Sequence, residues 1–173
     1  MGHYAASKAA ADLACAAFAG EGVHVVRARP FNHTGPGQQT SYVCSRLARE
    51  IASVAVGKSP PTIETGNLEV IRDFSDVRDV VRAYFLLLQK GQPGEAYNVC
   101  SQRPYTIRQV ALLLAREAGV DIELRPGAGL TRKTDIPILL GSRGKITAAT
   151  GWTPEIPLEK TLAEMLGYWA ARL

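Results

Sequence analysis

Val23-His24-Val25-Val26-Arg27-Ala28-Arg29 is a short β-rich run, and Pro30 halts it because proline cannot donate to a strand ladder. Upstream, residues 4–19 are Ala-rich with apolar positions at helical spacing, and Gly20 and Gly22 follow as stop signals. Downstream, a Gly/Pro/Asn/Gln loop from Asn32 to Gln39 leads to a helix expected from about Tyr42 to Val56, with Thr40 or Ser41 as its N-cap. Lys58-Ser59-Pro60-Pro61 breaks that helix. Thr62-Ile63-Glu64 and Glu69 to Phe74 read as short strands around a Gly66-Asn67 turn. Ser75 or Asp76 caps an apolar helix, Val77 to Gln89, closed by Gly91 to Gly94, and Ala96 to Cys100 reads as a buried strand. Thr106 caps an amphipathic helix to Ala118 with Gly119 after it, and Asp121 to Arg125 reads as a strand. A Pro/Gly loop carries Arg132 and Asp135, and short helices are expected near 142–150 and 158–172. Strands alternate with helices, so the class is α/β.

Within the first helix, Tyr4-Ala5-Ala6-Ser7-Lys8 places a phenol and an ammonium four residues apart on one face. A free phenol has a pKa near ~10. A cation about 4 Å away at an effective dielectric near ~20 contributes roughly 4 kcal/mol, or about three pKa units. A shift of that size makes a tyrosine an acid/base catalyst at neutral pH. The same spacing also fits a surface helix whose Tyr packs and whose Lys is solvated. A redox tyrosine works on a dinucleotide, yet no G-x-G-x-x-G occurs in the sequence: Gly35-Pro36-Gly37 and Gly127-Ala128-Gly129 lack the spacing.

The 173 residues suffice for one domain or one and a part, and 46% hydrophobic with 21% charged residues is ordinary globular composition. No apolar run approaches the ~20 residues of a membrane span, and no secretory signal is visible. Cys15, Cys44 and Cys100 are widely spaced in apolar context and read as buried free thiols of a reducing cytosol, with no metal site expected. The net charge of +4 rests on 14 Arg against 6 Lys, which suits bidentate recognition of phosphates. The arginines are scattered, so a small anionic ligand fits better than nucleic acid.

At Arg29-Pro30-Phe31-Asn32-His33-Thr34-Gly35-Pro36-Gly37 the reading becomes specific. A helix with Tyr-x-x-x-Lys, a strand ending in R-P-F-N, and then Arg72-Asp73-Phe74 with Asp76 and Asp79 resemble the extended short-chain dehydrogenase/reductase superfamily of nucleotide-sugar enzymes, the NAD-dependent epimerase/dehydratases. Four details resemble its GDP-mannose branch: His33 to Gln38, Gly66-Asn67-Leu68, Asp76 to Tyr84, and Gly151-Trp152-Thr153-Pro154.

The resemblance implies the C-terminal part of an NAD(P)-binding Rossmann-type fold with its smaller substrate lobe. Residues 1–38 would belong to the Rossmann part and 39–173 mainly to the nucleotide-sugar lobe, with a helix-strand return at about 76–100. It implies Tyr4 as catalytic acid/base and Lys8 as its partner on the nicotinamide ribose, with Pro30 and Asn32 beside the nicotinamide. Asn32 and Arg72 would meet the substrate diphosphate, and Arg132 with Asp135 the nucleotide; Arg46 is a further candidate phosphate contact. Asp73, Asp76 and Asp79 read as cap and ion-pair residues, His24 as structural, His33 as a turn former or sugar contact, and Trp152 and Trp169 as core anchors.

The activity implied is reduction of the C4 ketone of a GDP-4-keto-6-deoxy-mannose, with NAD or NADP as cofactor in its reduced form. The alternatives are the GDP-mannose 4,6-dehydratase reaction and a silent sugar-nucleotide-binding module. The missing Gly-rich turn leads to the expectation that the chain represents half of such an enzyme and is inactive alone. Its uncovered apolar faces lead to the expectation of a homo-oligomer with exchanged elements, located in the cytoplasm.

Overall fold

The computed structural model describes residues 2–127 and 136–173. Helix α1 (His3–Gly20) is followed by strands β1 (Arg27–Pro30) and β2 (Asn32–Thr34) and helix α2 (Val43–Ala55). Next come β3 (Thr62–Thr65), β4 (Ile71–Asp76), α3 (Val77–Lys90), β5 (Ala96–Val99), β6 (Pro104–Thr106) and α4 (Ile107–Ala118). The described chain closes with β7 (Glu123–Pro126), β8 (Ile138–Leu139), α5 (Gly144–Thr150) and α6 (Leu158–Ala170).

Local chemistry explains the helix ends. Thr106 and Gln109 form a reciprocal capping box at the start of α4, and Gly119 ends it at φ +66, a conformation glycine adopts without a Cβ penalty. Asp76 accepts the Arg78 N–H to start α3. The start of α2 differs from the sequence reading: its N-cap is Tyr42, which makes no side-chain cap bond. Thr40 and Ser41 lie in the preceding turn, and the Ser45 hydroxyl of the first helical turn donates to the Gln38 carbonyl instead.

Strand pairing is mostly parallel and long-range. β1 pairs with β5, β2 with β4, and β3 with β7, all parallel, while β4 also pairs antiparallel with β6 and parallel with β8. The hairpin expected around Gly66-Asn67 is therefore absent. Asn67 does form a turn, its Oδ1 accepting the Glu69 N–H, but β3 and β4 leave that turn for different partners. A turn signal fixes a change of direction and not a register when other edges bury more surface. The stretch read as loop from Asn32 contains β2, whose three residues pair with Phe74 to Asp76 and bury Thr34. β1 begins at Arg27, not Val23, and takes in Pro30, tolerated as the strand's last residue because the next N–H, of Phe31, donates to Val99.

Two cores result. The first gathers Leu47 and Ile51 of α2, Ile63, Phe74, Leu114 of α4, and Leu162 and Met165 of α6. The second packs Val80, Ala83 and Leu87 of α3 against Tyr97, Val99, Ile146 and Trp152, with Val26 and Ala28 laid on it. No residue of α1 is buried, and no described helix is long and apolar enough to cross a membrane.

Cys44 and Cys100 are buried as expected, but Cys15 is only half-buried because α1 is covered on one side alone. Burial pushes the Cys44 thiol up to about 12, with a Thr34 hydrogen bond opposing, and burial with the Asp73 charge raises Cys100 to about 11. Since the thiolate is the reactive form, a disulfide reagent at pH 8 is expected to titrate one thiol promptly, Cys15, and the other two only in denaturant. Three prompt thiols would contradict both cores.

Candidate active site

The direction of α1 decides where its functional side chains stand. Asp12, midway along it, accepts from Arg27 Nη1 at 2.8 Å and from Arg29 Nε and Nη2 at 2.9 and 2.6 Å. The Arg29 hydrogen bond, only partly opposed by burial, and the two guanidinium charges hold the Asp12 carboxyl below its ordinary value. At its far end, the Ala19 Cβ lies 3.4 Å from where a Cβ on Gly94 would be, just before β5. The C-terminus of α1 is therefore at the amino ends of β1 and β5, and the helix runs antiparallel to both strands. From Asp12 back to Tyr4 is ~12 Å of helix, and from Arg29 on to Asn32 is ~10 Å of extended chain. Tyr4 and Asn32 thus reach the same level, at the carboxyl edge where α/β sheets bind ligands.

Tyr4 and Lys8, both exposed, continue the side of α1 that carries the half-buried Asp12, Cys15 and Ala19. The Lys8 Nζ lies 5.7 Å from the centre of the Tyr4 ring, and the phenol is 75% exposed. The pair is formed and open.

Asn32 opens β2 opposite Phe74 in parallel register. Arg72, two residues earlier on β4, lies on the same face of the sheet as Phe74 and Asn32, with Cα atoms of Asn32 and Arg72 roughly 8 Å apart. Its Nη1 donates to the carbonyls of Ile71 at 2.9 Å and Ile136 at 2.8 Å, tying β4 to the segment entering β8. Pro30 ends β1 opposite Val99. Arg46 is committed within the fold: its Nη1 donates to Glu50 at 2.9 and 3.0 Å and to the Glu64 carbonyl at 2.9 Å, linking α2 to β3. Arg132 and Asp135 lie outside the described residues.

Asp76 behaves as expected. It caps α3, pairs with Arg78 at 2.8 Å and accepts from Thr161 at 2.7 Å; burial raises its carboxyl, but these hydrogen bonds outweigh burial and hold it low. Asp79 pairs with Arg82 at 2.8 Å. Asp73 departs from the expectation: it is no helix cap. Its Oδ1 accepts the Ser101 N–H and hydroxyl, both at 2.7 Å, and its Oδ2 accepts the N–H groups of Gln102 at 3.0 Å and Gly141 at 3.3 Å. The sequence signal for this is slight: a carboxylate in mid-strand beside Phe74, which needs donors once the strand is buried. His33 stands in β2 with its Nδ1 3.0 Å from the Phe31 carbonyl, and His24 contacts the Gly91 carbonyl at 3.3 Å.

The concavity lined by Gln92, Glu95, Tyr97 and Lys145 lies at the amino end of β5 and contains none of these residues.

Comparison with known proteins follows the same outline. Residues 2–165 match the family described as GDP-mannose 4,6 dehydratase. The GDP-6-deoxy-D-mannose reductase of Pseudomonas aeruginosa is 40% identical over 171 residues, covering 98% of this chain and 56% of that protein. The GDP-mannose 4,6-dehydratase of Yersinia enterocolitica is 28% identical over 166 residues, covering 79% of this chain and 44% of that protein. The structure of RMD from Pseudomonas aeruginosa complexed with NADPH superimposes with a TM-score of 0.93 at 41% identity, over 98% of this chain and 57% of that one. The chain spans about half the length of the relatives it matches.

Proposed function

Because the chain belongs to the GDP-mannose 4,6-dehydratase family, we propose that it supplies the acid–base tyrosine and the nucleotide-sugar contacts of an oxidoreductase that reduces the C4 ketone of a GDP-4-keto-6-deoxy-mannose. The observation that supports this reading is the antiparallel course of α1 against β1, which carries Tyr4 toward the carboxyl end of the strand that leads to Asn32. The reductase is favoured over the dehydratase by 40% against 28% identity to the respective relatives.

The residues present fit one end of a nicotinamide dinucleotide. The Tyr4 hydroxyl and Lys8 ammonium, on one open helix face, suit the nicotinamide ribose. The 173 residues contain no Gly-rich turn of the G-x-G-x-x-G kind for its diphosphate. A reduced nicotinamide, NADH or NADPH, would supply the hydride when bound. Tyr4 would give its phenolic proton to the C4 oxygen as that oxygen gains charge, and Lys8 would stabilise the phenolate left behind. Asn32 and Arg72, on one sheet face, would fix the sugar nucleotide through its diphosphate, with Arg132 and Asp135 toward the nucleoside. Pro30 would border the nicotinamide, and Arg46 would act through its tie between α2 and β3.

The test is thermal unfolding in the presence of GDP, GDP-mannose, UDP, dTDP and NADPH. GDP and GDP-mannose should stabilise selectively and in proportion to mass action, about 2.7 kcal/mol at a hundred times Kd. Equal shifts with UDP and dTDP would remove the guanine assignment, and no shift with any nucleotide would overturn the reading.

The same proposal extends to assembly. Val81, Tyr84, Phe85 and Leu88 form an exposed i, i+3, i+4, i+7 stripe on α3, no residue of α1 is fully buried, and among described strands β1 pairs with β5 alone. Such faces favour a homo-oligomer, with exchange of elements between copies. Light scattering at micromolar concentration should give a dimer or larger; a monodisperse monomer would refute it.

A further inference from the structure

We infer that Asp73 is a positioning residue for the sugar-nucleotide diphosphate, holding Asn32 and Arg72 at their working separation; this rests on the function proposed above. Asp73 is 1% exposed, and a carboxylate so deeply buried is retained only if its lone pairs are met. Its four donors are all uncharged and come from two chain segments beyond β4: Ser101 and Gln102 just past β5, and Gly141 just past β8. Gln102 is held at φ +61, the one non-glycine residue at positive φ among the described residues, and its N–H is one of those donors. Backbone strain of this kind persists where the surroundings over-determine it. Ser101 is locked again, its hydroxyl accepting the Arg103 N–H at 3.1 Å and its carbonyl accepting from Arg143 Nη1.

The junction leads to both proposed diphosphate contacts. On one side Asp73 is the chain neighbour of Arg72, and its bond to Gly141 fixes the exit of β8 while Arg72 holds the Ile136 carbonyl at the entrance. On the other side Gly141 is pressed against the ring of Phe31, the residue before Asn32: a Cβ at 141 would lie 2.8 Å from Phe31 Cζ and 2.6 Å from Cys100 Sγ. One carboxylate thereby reaches, through backbone and one ring, both the residue before Asn32 and the strand of Arg72, and so braces a spacing that the β2–β4 pairing lays down. Asp73 does this from one face of β4 while Arg72 stands on the opposite face.

The experiment compares GDP with guanosine by calorimetric titration of wild type, Asp73→Asn and Ser101→Ala, below the unfolding temperature of each. The asparagine amide presents N–H where N–H donors now converge, so the junction must shift. A displacement approaching 1 Å at a recognition group can cost up to about a hundredfold. D73N is expected to weaken GDP about tenfold or more while guanosine changes by less than about twofold, a tenfold change being ~1.4 kcal/mol. S101A, which removes one donor to Asp73 and the acceptor of the Arg103 N–H but leaves the Ser101 N–H in place, should move the GDP-to-guanosine ratio the same way by a smaller factor. A general loss of structure would weaken both ligands together and leave the ratio unchanged, which would overturn the positioning role. Should D73N not fold, the S101A ratio decides alone. Failure of wild type to bind GDP at all would instead sink the underlying reading of the site, and the two failures are thereby told apart.

Discussion

Alanine at position 79 is expected to cost about 3–5 kcal/mol of folding free energy, a large share of the ~5–15 kcal/mol that holds a domain together. The Asp79 side chain is 2% exposed and receives three partners: the N–H groups of Glu155 and Ile156, each at 2.9 Å, and Arg82 Nη2 at 2.8 Å. Removing the carboxylate leaves two backbone donors of the 153–157 turn without an acceptor, each worth ~1–3 kcal/mol when it cannot reach water. Arg82 would keep the Thr153 carbonyl and Glu155 at 3.1 Å, so its charge is not stranded. Asparagine at 79 retains one acceptor oxygen and should cost less than half as much. Urea unfolding at unchanged m reads both numbers. A loss below about 1 kcal/mol for alanine would mean that the turn is held by something other than this carboxylate.

That turn shows what the sequence could and could not disclose. Asp76 to Tyr84 and Gly151 to Pro154 stand out as separate signatures, yet they are two sides of one contact: Asp79 holds the chain after Trp152, and the Trp152 indole donates to the Asp79 carbonyl at 3.0 Å. The helices were legible because their ends are chemical, as with Thr106 and Gln109 or Asp76. Tyr4 with Lys8, and the strand end at Pro30 and Asn32, were legible because helical spacing and a proline stop are local. β6 and β8 escaped, since strands of two or three residues carry no period and their partner Ile71 lies 35 residues from Thr106 and 67 from Ile138. The Asp73 junction escaped for the same reason. Its donors are backbone N–H groups, which every residue but proline has, and only the folded chain selects those of 101, 102 and 141. Arg46 carries the right chemistry for a phosphate, but Glu50 one helical turn on and the Glu64 carbonyl claim it.

Trp152→Ala should be as costly as the loss of Asp79, about 3–5 kcal/mol, by a different route. Trp152 is fully buried in the second core against Val80, Ala83, Tyr97, Val99 and Ile146, so truncation opens a cavity that the surrounding elements cannot all close. It also takes the indole donor from the Asp79 carbonyl, which keeps only its helical partner, and removes the ring that lies 6.0 Å from the Arg82 guanidinium. Phenylalanine at 152 keeps most of the volume and loses the N–H, which separates the packing cost from the hydrogen bond. Because W152A and D79A act on the same contact, the double variant should be less destabilised than the sum of the two, by ~0.5–3 kcal/mol. Strict additivity would show that the tryptophan and the carboxylate are independent supports. The second core underlies β1 through Ala28 and the preceding Val26, and β5 through Tyr97 and Val99. A loosened Trp152 should therefore reach the carboxyl edge that carries Asn32, so that any stabilisation by GDP falls in W152A even below its unfolding temperature. Full retention of the GDP shift in W152A would show that the edge is held by the first core and the Asp73 junction alone.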